Sequence, residues 1–124
     1  MSWTYQITSG TLLNAQGIAV GTGYSGNHAG LNNPAMCNVP DVGPLPTGIY
    51  QIGQPRDDRQ VGVYAMPLIP DPSNEMFGRS AFYIHGDLVS APGQHLASEG
   101  CIILAREIRN TIGESGDTSL IVTT

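Results

Sequence analysis

Apolar and polar residues alternate with a period of two through most of this chain, in short pieces separated by Gly, Asn and Pro. Residues 3–7 (WTYQI) put their large apolar side chains on one face, the pattern of a half-buried strand. Residues 11–13 and 18–21 flank Asn14-Ala15-Gln16-Gly17 and predict a hairpin, because Asn and Gly accept turn conformations that β-branched residues resist. Residues 47–52 and 61–66 predict two further strands, with a polar link over 54–60. Pro67, Pro70 and Pro72 lack the amide that a central strand donates, so 67–79 is expected to be loop or edge. Strand pattern returns at 80–84 and again at 101–104. The period then changes: Ile108 and Ile112 stand four apart among Arg106, Glu107 and Arg109, which predicts a short amphipathic helix over 105–112, ended by Gly113 and Gly116. Residues 119–122 make a closing strand. Residues 24–46 show no period, and a compact domain keeps so long an irregular segment mainly for binding, so an ordered loop is expected there.

Composition narrows the class. At 124 residues the chain is expected to form a single domain over 1–124. Charged residues make up 12%, against about 25% in an average globular protein, while 16 Gly and 9 Pro suit short strands joined by many turns. The expected fold is mainly β. The formal net charge is −5 with no lysine, and the arginines are spread from Arg56 to Arg109, so there is no electrostatic footprint for nucleic acid. The first ten residues lack both the basic and the apolar region of a signal peptide, and no run approaches the 18 apolar residues of a membrane span. The chain is therefore expected to be made in the cytoplasm without a signal peptide, and Cys37 and Cys101 to be free thiols. No internal repeat, phosphate loop or low-complexity tract interrupts it.

The chemistry concentrates between residues 81 and 105. Phe82-Tyr83-Ile84 leads into His85-Gly86-Asp87, and Ser98-Glu99-Gly100 leads into Cys101-Ile102-Ile103-Leu104, so each reactive side chain stands where a strand meets its loop. Strand ends are rigid, and nucleophilic catalysis needs a thiol and its base held in register. Taken alone, a cysteine opening an apolar run is ordinarily packed core. Cys37, beside Met36 and Val39, is read that way, and His28 as a solvated loop residue. A papain-like peptidase would put the cysteine before the histidine and on a helix, the reverse of this order. A zinc hydrolase built on His85, Asp87, His95 and Cys101 would lack any tight ligand spacing. Neither a metal nor another cofactor is expected.

His85-Gly86 followed by Ser98-Glu99-Gly100-Cys101 resembles the active-site signature of the YkuD-type L,D-transpeptidases, which act on peptidoglycan. Gly23-Tyr24-Ser25-Gly26, Asn32-Asn33-Pro34 and the run from Val42 to Tyr50 are similar to the Tlde1 branch of that superfamily, which includes type VI secretion effectors that attack the bacterial cell wall. Together these stretches run from about Gly23 to Ala105 in the family's order. The resemblance departs at Glu99, where many members carry His, and at Ile103, where many carry Arg or Asn. It implies a small β-sandwich with one short helix after the cysteine, and a loop over 24–46 that walls the active site. It also implies L,D-carboxypeptidase action, exchange, or both, on tetrapeptide stems. Cys101 would be the nucleophile and His85 the base. Gly100 and Cys101 would offer oxyanion amides, Ser98 would shape the turn or hold His85 or substrate, and Tyr24, Asp87, His95 and Glu99 would contact substrate, with Asp87 otherwise orienting His85 or facing solvent. With His85 cationic beside it, the Cys101 thiolate should form below the ordinary pKa of about 8.5. The implied partners are peptidoglycan stem peptides, with an immunity protein and secretion-system components. The implied place of action is the periplasm of a target bacterium. The departures at Glu99 and Ile103 leave open a module that kept the fold and binds peptidoglycan without turning it over.

Overall fold

The computed structural model describes residues 2–124 and has ten strands and one α-helix. In chain order the elements are β1 (Ser2–Gln6), β2 (Thr11–Leu13), β3 (Ala19–Thr22), β4 (Tyr24–Ser25), β5 (Gly48–Ile52), β6 (Arg56–Asp58), β7 (Gly62–Pro70), β8 (Phe82–His85), β9 (Ile102–Ile103), α1 (Arg106–Ser115) and β10 (Ser119–Thr123). Nine strands form one hydrogen-bonded path in the order β3-β2-β1-β10-β5-β7-β8-β9-β4, and β6 pairs with β7 off that path. Pairing is mixed: β1–β10 and β8–β9 are parallel, the other pairs antiparallel. The two ends of the path, β3 and β4, are separated in sequence by Gly23 alone. The sheet therefore curls until its two ends come together at that residue, and the mainly β domain wraps a single core. Gly23 is required at that corner, since a Cβ there would run into the Ile103 carbonyl.

The core follows the alternation in the sequence. Trp3 and Tyr5 of β1, Tyr50 and Ile52 of β5, Leu120 and Val122 of β10, and Ile84 and Ile102 beside the site all bury their side chains together. Helix α1 closes one side with Ile112, buried to 2% exposure, a burial that contributes about 1.5–3 kcal/mol.

Several expectations need correction. Pro67 lies inside β7, which pairs with β5 on one side and β8 on the other. The register explains how. Asp71 N donates to Ile49 O and Gly53 N to Pro67 O, so the odd-numbered residues of this stretch turn their backbone toward β5. Pro67 sits one position past the last β5 pair, Ile52 with Leu68, and Pro70 turns toward β8 beyond that strand's last pair, Leu68 with Phe82. Pro67 falls opposite Gly53, whose N–H donates to the Pro67 carbonyl but whose own carbonyl gets no N–H in return, and the absence of a Cβ on Gly53 leaves room for the proline ring. Pro70 has no β8 partner to meet. Strand β6 falls in the polar link over 54–60, where no strand is expected; Arg-Asp-Asp carries no apolar alternation to betray it. Helix α1 continues through Gly113 and stops at Gly116, which takes the left-handed conformation at φ 78°. Gly113 stays helical and makes room, since a Cβ there would meet Tyr64 Oη. Residues 24–46 form a structured loop that holds β4 and two 3₁₀ turns, His28–Gly30 and Pro34–Met36.

Candidate active site

Strands β8 and β9 lie side by side in parallel, with Ile84 beside Ile102 and His85 beside Ile103. One step back along both strands, Cys101 falls beside Tyr83, whose amide donates to Cys101 Sγ at 3.3 Å. Because side chains alternate, Tyr83, His85, Cys101 and Ile103 share one face of the sheet. His85 and Cys101 both line the same cleft of about 790 Å³, with Tyr83, Gly86 and Ala97 on its walls and Asp41, Arg59 and Glu99 contributing charge. No hydrogen bond joins the two side chains among the described residues, since the thiol's partner is the Tyr83 amide. Catalytic hydrogen bonds are often long before substrate binds.

His85 is 5% exposed, and its Nδ1 lies 2.8 Å from the Gly86 carbonyl. A carbonyl only accepts, so Nδ1 carries the hydrogen and Nε2 is the nitrogen free to take a proton. Burial lowers the His85 pKa below the ordinary histidine value. The Gly86 carbonyl opposes that shift, and the nearby Arg109 guanidinium adds to it. Burial likewise pushes the Cys101 thiol up to about 11. The Tyr83 amide and Arg79 oppose that rise, and the Glu99 carboxylate adds to it. At neutral pH the two groups are thus an imidazole and a thiol. The expectation of a thiolate held below 8.5 by an imidazolium is corrected here: the strand pairing that aligns the two groups also removes them from water, and desolvation disfavours both charged forms.

The loop before Cys101 is clamped from beneath by residues 24–46 and by Arg79. Ser98 is fully buried; its Oγ donates to the Cys101 carbonyl at 2.6 Å and accepts from Gly26 N at 2.8 Å and Gly100 N at 3.1 Å. Ser25 Oγ donates to the Gly100 carbonyl and accepts from Leu45 N, both at 2.9 Å, and Asn27 Nδ2 donates to the Ser98 carbonyl at 2.7 Å. Arg79, 9% exposed, donates to four carbonyls, those of Cys37, Pro44, Gly43 and Glu99, and its guanidinium lies 5.2 Å from the Phe82 ring centre. Gly100 takes φ +134°, and a Cβ there would crowd the Phe82 ring and Arg79. Its amide already donates to Ser98, so of the two oxyanion donors expected, only that of Cys101 is left for a substrate oxygen. Ser25, Asn27 and Arg79, which brace this loop, are residues that sequence reasoning passed over. The signal for Arg79 was its rarity, a lone cation in a stretch poor in charge.

Asp87 does not orient His85. Its carboxylate accepts from Tyr24 Oη at 2.6 Å, Leu88 N at 2.9 Å and Gly93 N at 2.9 Å, which ties down the loop over 88–96. Burial would raise the Asp87 pKa, but the Tyr24 hydroxyl and the two amides outweigh it and hold the carboxyl below the usual range. Tyr24, 6% exposed, also accepts from Ala97 N at 3.0 Å and meets the exposed His95 edge-on, with ring centres 4.8 Å apart. These three residues therefore build the loop wall beside His85, while Glu99 lies exposed on the cleft rim. His28 is exposed on a 3₁₀ turn, and Cys37 is buried, its Sγ donating to the Leu45 carbonyl at 3.6 Å. Both cysteines are unpaired thiols. Among the described residues, no three His, Cys, Asp or Glu side chains gather in a way that could hold a metal ion, and Asp87 and His95 are turned to Tyr24 instead. Among the described residues, no helix is long and apolar enough to cross a membrane.

A family model described as the Tlde1 domain matches residues 20–115, from the end of the first hairpin to the end of α1. None of the curated proteins matches the chain.

Proposed function

The chain belongs to the Tlde1 domain family, and from that premise we propose that it is a cysteine-dependent enzyme that removes or exchanges the terminal D-residue of peptidoglycan tetrapeptide stems, and that it serves as an antibacterial effector. The observation that carries this reading is the placing of His85 and Cys101 on one face of two parallel strand ends, in one cleft, with His85 Nδ1 committed to Gly86 and Nε2 bare. Delivery would be through a type VI secretion system, and action in the target's periplasm.

In this mechanism Cys101 Sγ attacks the carbonyl carbon of the L-centre in the terminal L,D-linkage while His85 Nε2 takes the thiol proton. A neutral pair suits this, because proton transfer accompanies attack and no charged pair need persist in a dry site. The Cys101 amide donates to the oxyanion. As the C–N bond breaks, His85 returns the proton to the departing D-alanine amine, leaving a thioester on Cys101. Water activated by His85 then releases the tripeptide, or the amine of a free D-amino acid replaces it. Ser98, Ser25 and Arg79 hold the Gly100–Cys101 backbone in place throughout.

Expression with an export signal in a Gram-negative host tests the proposal. The exported protein should halt growth, and sacculi from those cells should lose the terminal D-alanine of their tetrapeptides. Export of the Cys101→Ala variant should do neither, and cytoplasmic protein should be harmless. Equal toxicity in both compartments would point to a cytoplasmic target. Unchanged muropeptides would favour a binding module, a reading to which the buried neutral thiol lends some support.

A further inference from the structure

A second cavity, of about 440 Å³, opens on the far side of His85, and its walls carry opposite charges. Gly86 and Asp87 line both this cavity and the main cleft, so the segment after His85 is the partition between them. One wall is the start of α1, with Arg106 and Arg109; another carries Asp87 and His95. Arg109 is 7% exposed. Its Nε donates to the Leu104 carbonyl at 3.0 Å, and its Nη1 to the carbonyls of Val63 and Tyr64 at 2.7 and 3.1 Å. Its Nη2 is the atom nearest the open face of Gly86 and has no acceptor among the described residues. Every bond Arg109 makes ends on a neutral carbonyl, so a buried cation with a spare donor borders the cavity with no counter-ion. That spare donor is open to the cavity, and a carboxylate entering it would gain a charge-assisted hydrogen bond there. Helix α1 adds to the same wall, because Ala105 at its start provides no side-chain cap for the first-turn amides.

We propose that this cavity is the subsite for a free α-amino acid in its zwitterionic form, the carboxylate held by Arg109 and Arg106 and the ammonium by Asp87. The proposal rests on the transpeptidase reading and says where the second substrate of exchange waits. From there the amine approaches the thioester past His85. The ammonium gives one proton to solvent, and its nitrogen bonds to the thioester carbonyl carbon. As the C–S bond breaks, the second proton passes through His85 to the Cys101 sulfur, leaving a new amide and a free thiol.

Titration of D-alanine into the Cys101→Ala protein, followed by amide resonances, tests the site without turnover. Saturable shifts are expected at Gly23, Gly86 and Arg106, and D-alaninamide, which lacks the carboxylate, should bind at least tenfold more weakly. Arg106 is exposed, so Arg106→Gln should fold normally and still weaken D-alanine at least fivefold, whereas Arg109→Gln risks the fold. In the active enzyme, Arg106→Gln should lower the ratio of exchange to hydrolysis at fixed D-alanine by a similar factor. Shifts confined to the main cleft, equal binding of D-alanine and D-alaninamide, or an unmoved ratio would overturn the proposal. A positive titration in a protein that never trims tetrapeptides would sink the enzymatic reading and leave the subsite standing. Trimming without any titration response would do the reverse.

Discussion

Alkylation of Cys101 as a function of pH reads the neutral pair directly. A thiol of pKa about 11 is ionised at pH 7 to roughly one part in 10,000, against roughly one in 30 for the ordinary value of about 8.5. Iodoacetamide should therefore label folded Cys101 at pH 7 about three-hundredfold more slowly than the same cysteine in the unfolded chain, before any steric shielding. A Cys37→Ala background removes the second thiol, and mass spectrometry of the labelled peptide gives the rate. The midpoint of the pH profile separates charge from access, because shielding scales the whole curve whereas burial moves its midpoint toward 11. His85→Ala should leave that midpoint nearly where it was, since an imidazole that is uncharged at neutral pH has no thiolate to stabilise. A midpoint at or below 8.5 in the folded wild type, lost on His85→Ala, would refute the reasoning and restore a thiolate–imidazolium pair.

Four further outcomes follow from the same contacts. The His85 pKa is lowered, so the base stays neutral below the ordinary histidine value of about 6.5; kcat/KM should hold down to that pH and fall only as pH drops through the native pKa, and an acid limb at pH 7 or above would count against burial as the controlling cause. Native stability should begin to decline earlier, as pH falls below about 6.5, and level off once pH has passed the native His85 pKa, because the unfolded chain takes up that proton at a higher pH than the folded one. Ser98→Ala strands two buried amides and frees the Cys101 carbonyl, and should cost about 2–4 kcal/mol in urea unfolding along with most of the turnover. Arg79→Met leaves four carbonyls without their donor and should cost at least about 3 kcal/mol, with the loss visible as a lower Tm.

Most of the strand framework was legible because each strand buries one face, and a period of two is what a half-buried strand writes into a sequence. What escaped was decided by register and close approach. Pro67 within β7 is tolerated because it falls at the very end of the β5 pairing, opposite a glycine that leaves room for its ring, and no local pattern announces that partner. The two-residue strand β4 is too short to show a period, yet it closes the sheet against β9. At the site, His85 and Cys101 stood out because a titratable group at the end of an apolar run is conspicuous. The charge state of the pair did not, since it depends on burial, which the sequence holds only in its long-range packing. Asp87 illustrates the same limit: two residues from His85 in the chain, it is bound to Tyr24, 63 positions away. Arg79 and Ser25 act through backbone carbonyls of distant segments, and a carbonyl has no sequence signature.

The most direct measurement of the central claim is mass spectrometry of purified disaccharide-tetrapeptide after incubation with the protein. Wild type and Cys37→Ala should both release the terminal alanine to leave the tripeptide, and added D-methionine should appear in place of that alanine in part of the product. Cys101→Ala should do neither, and His85→Ala should lose turnover by about a hundredfold or more. Continued trimming by Cys101→Ala, or loss of trimming in Cys37→Ala alone, would contradict the account.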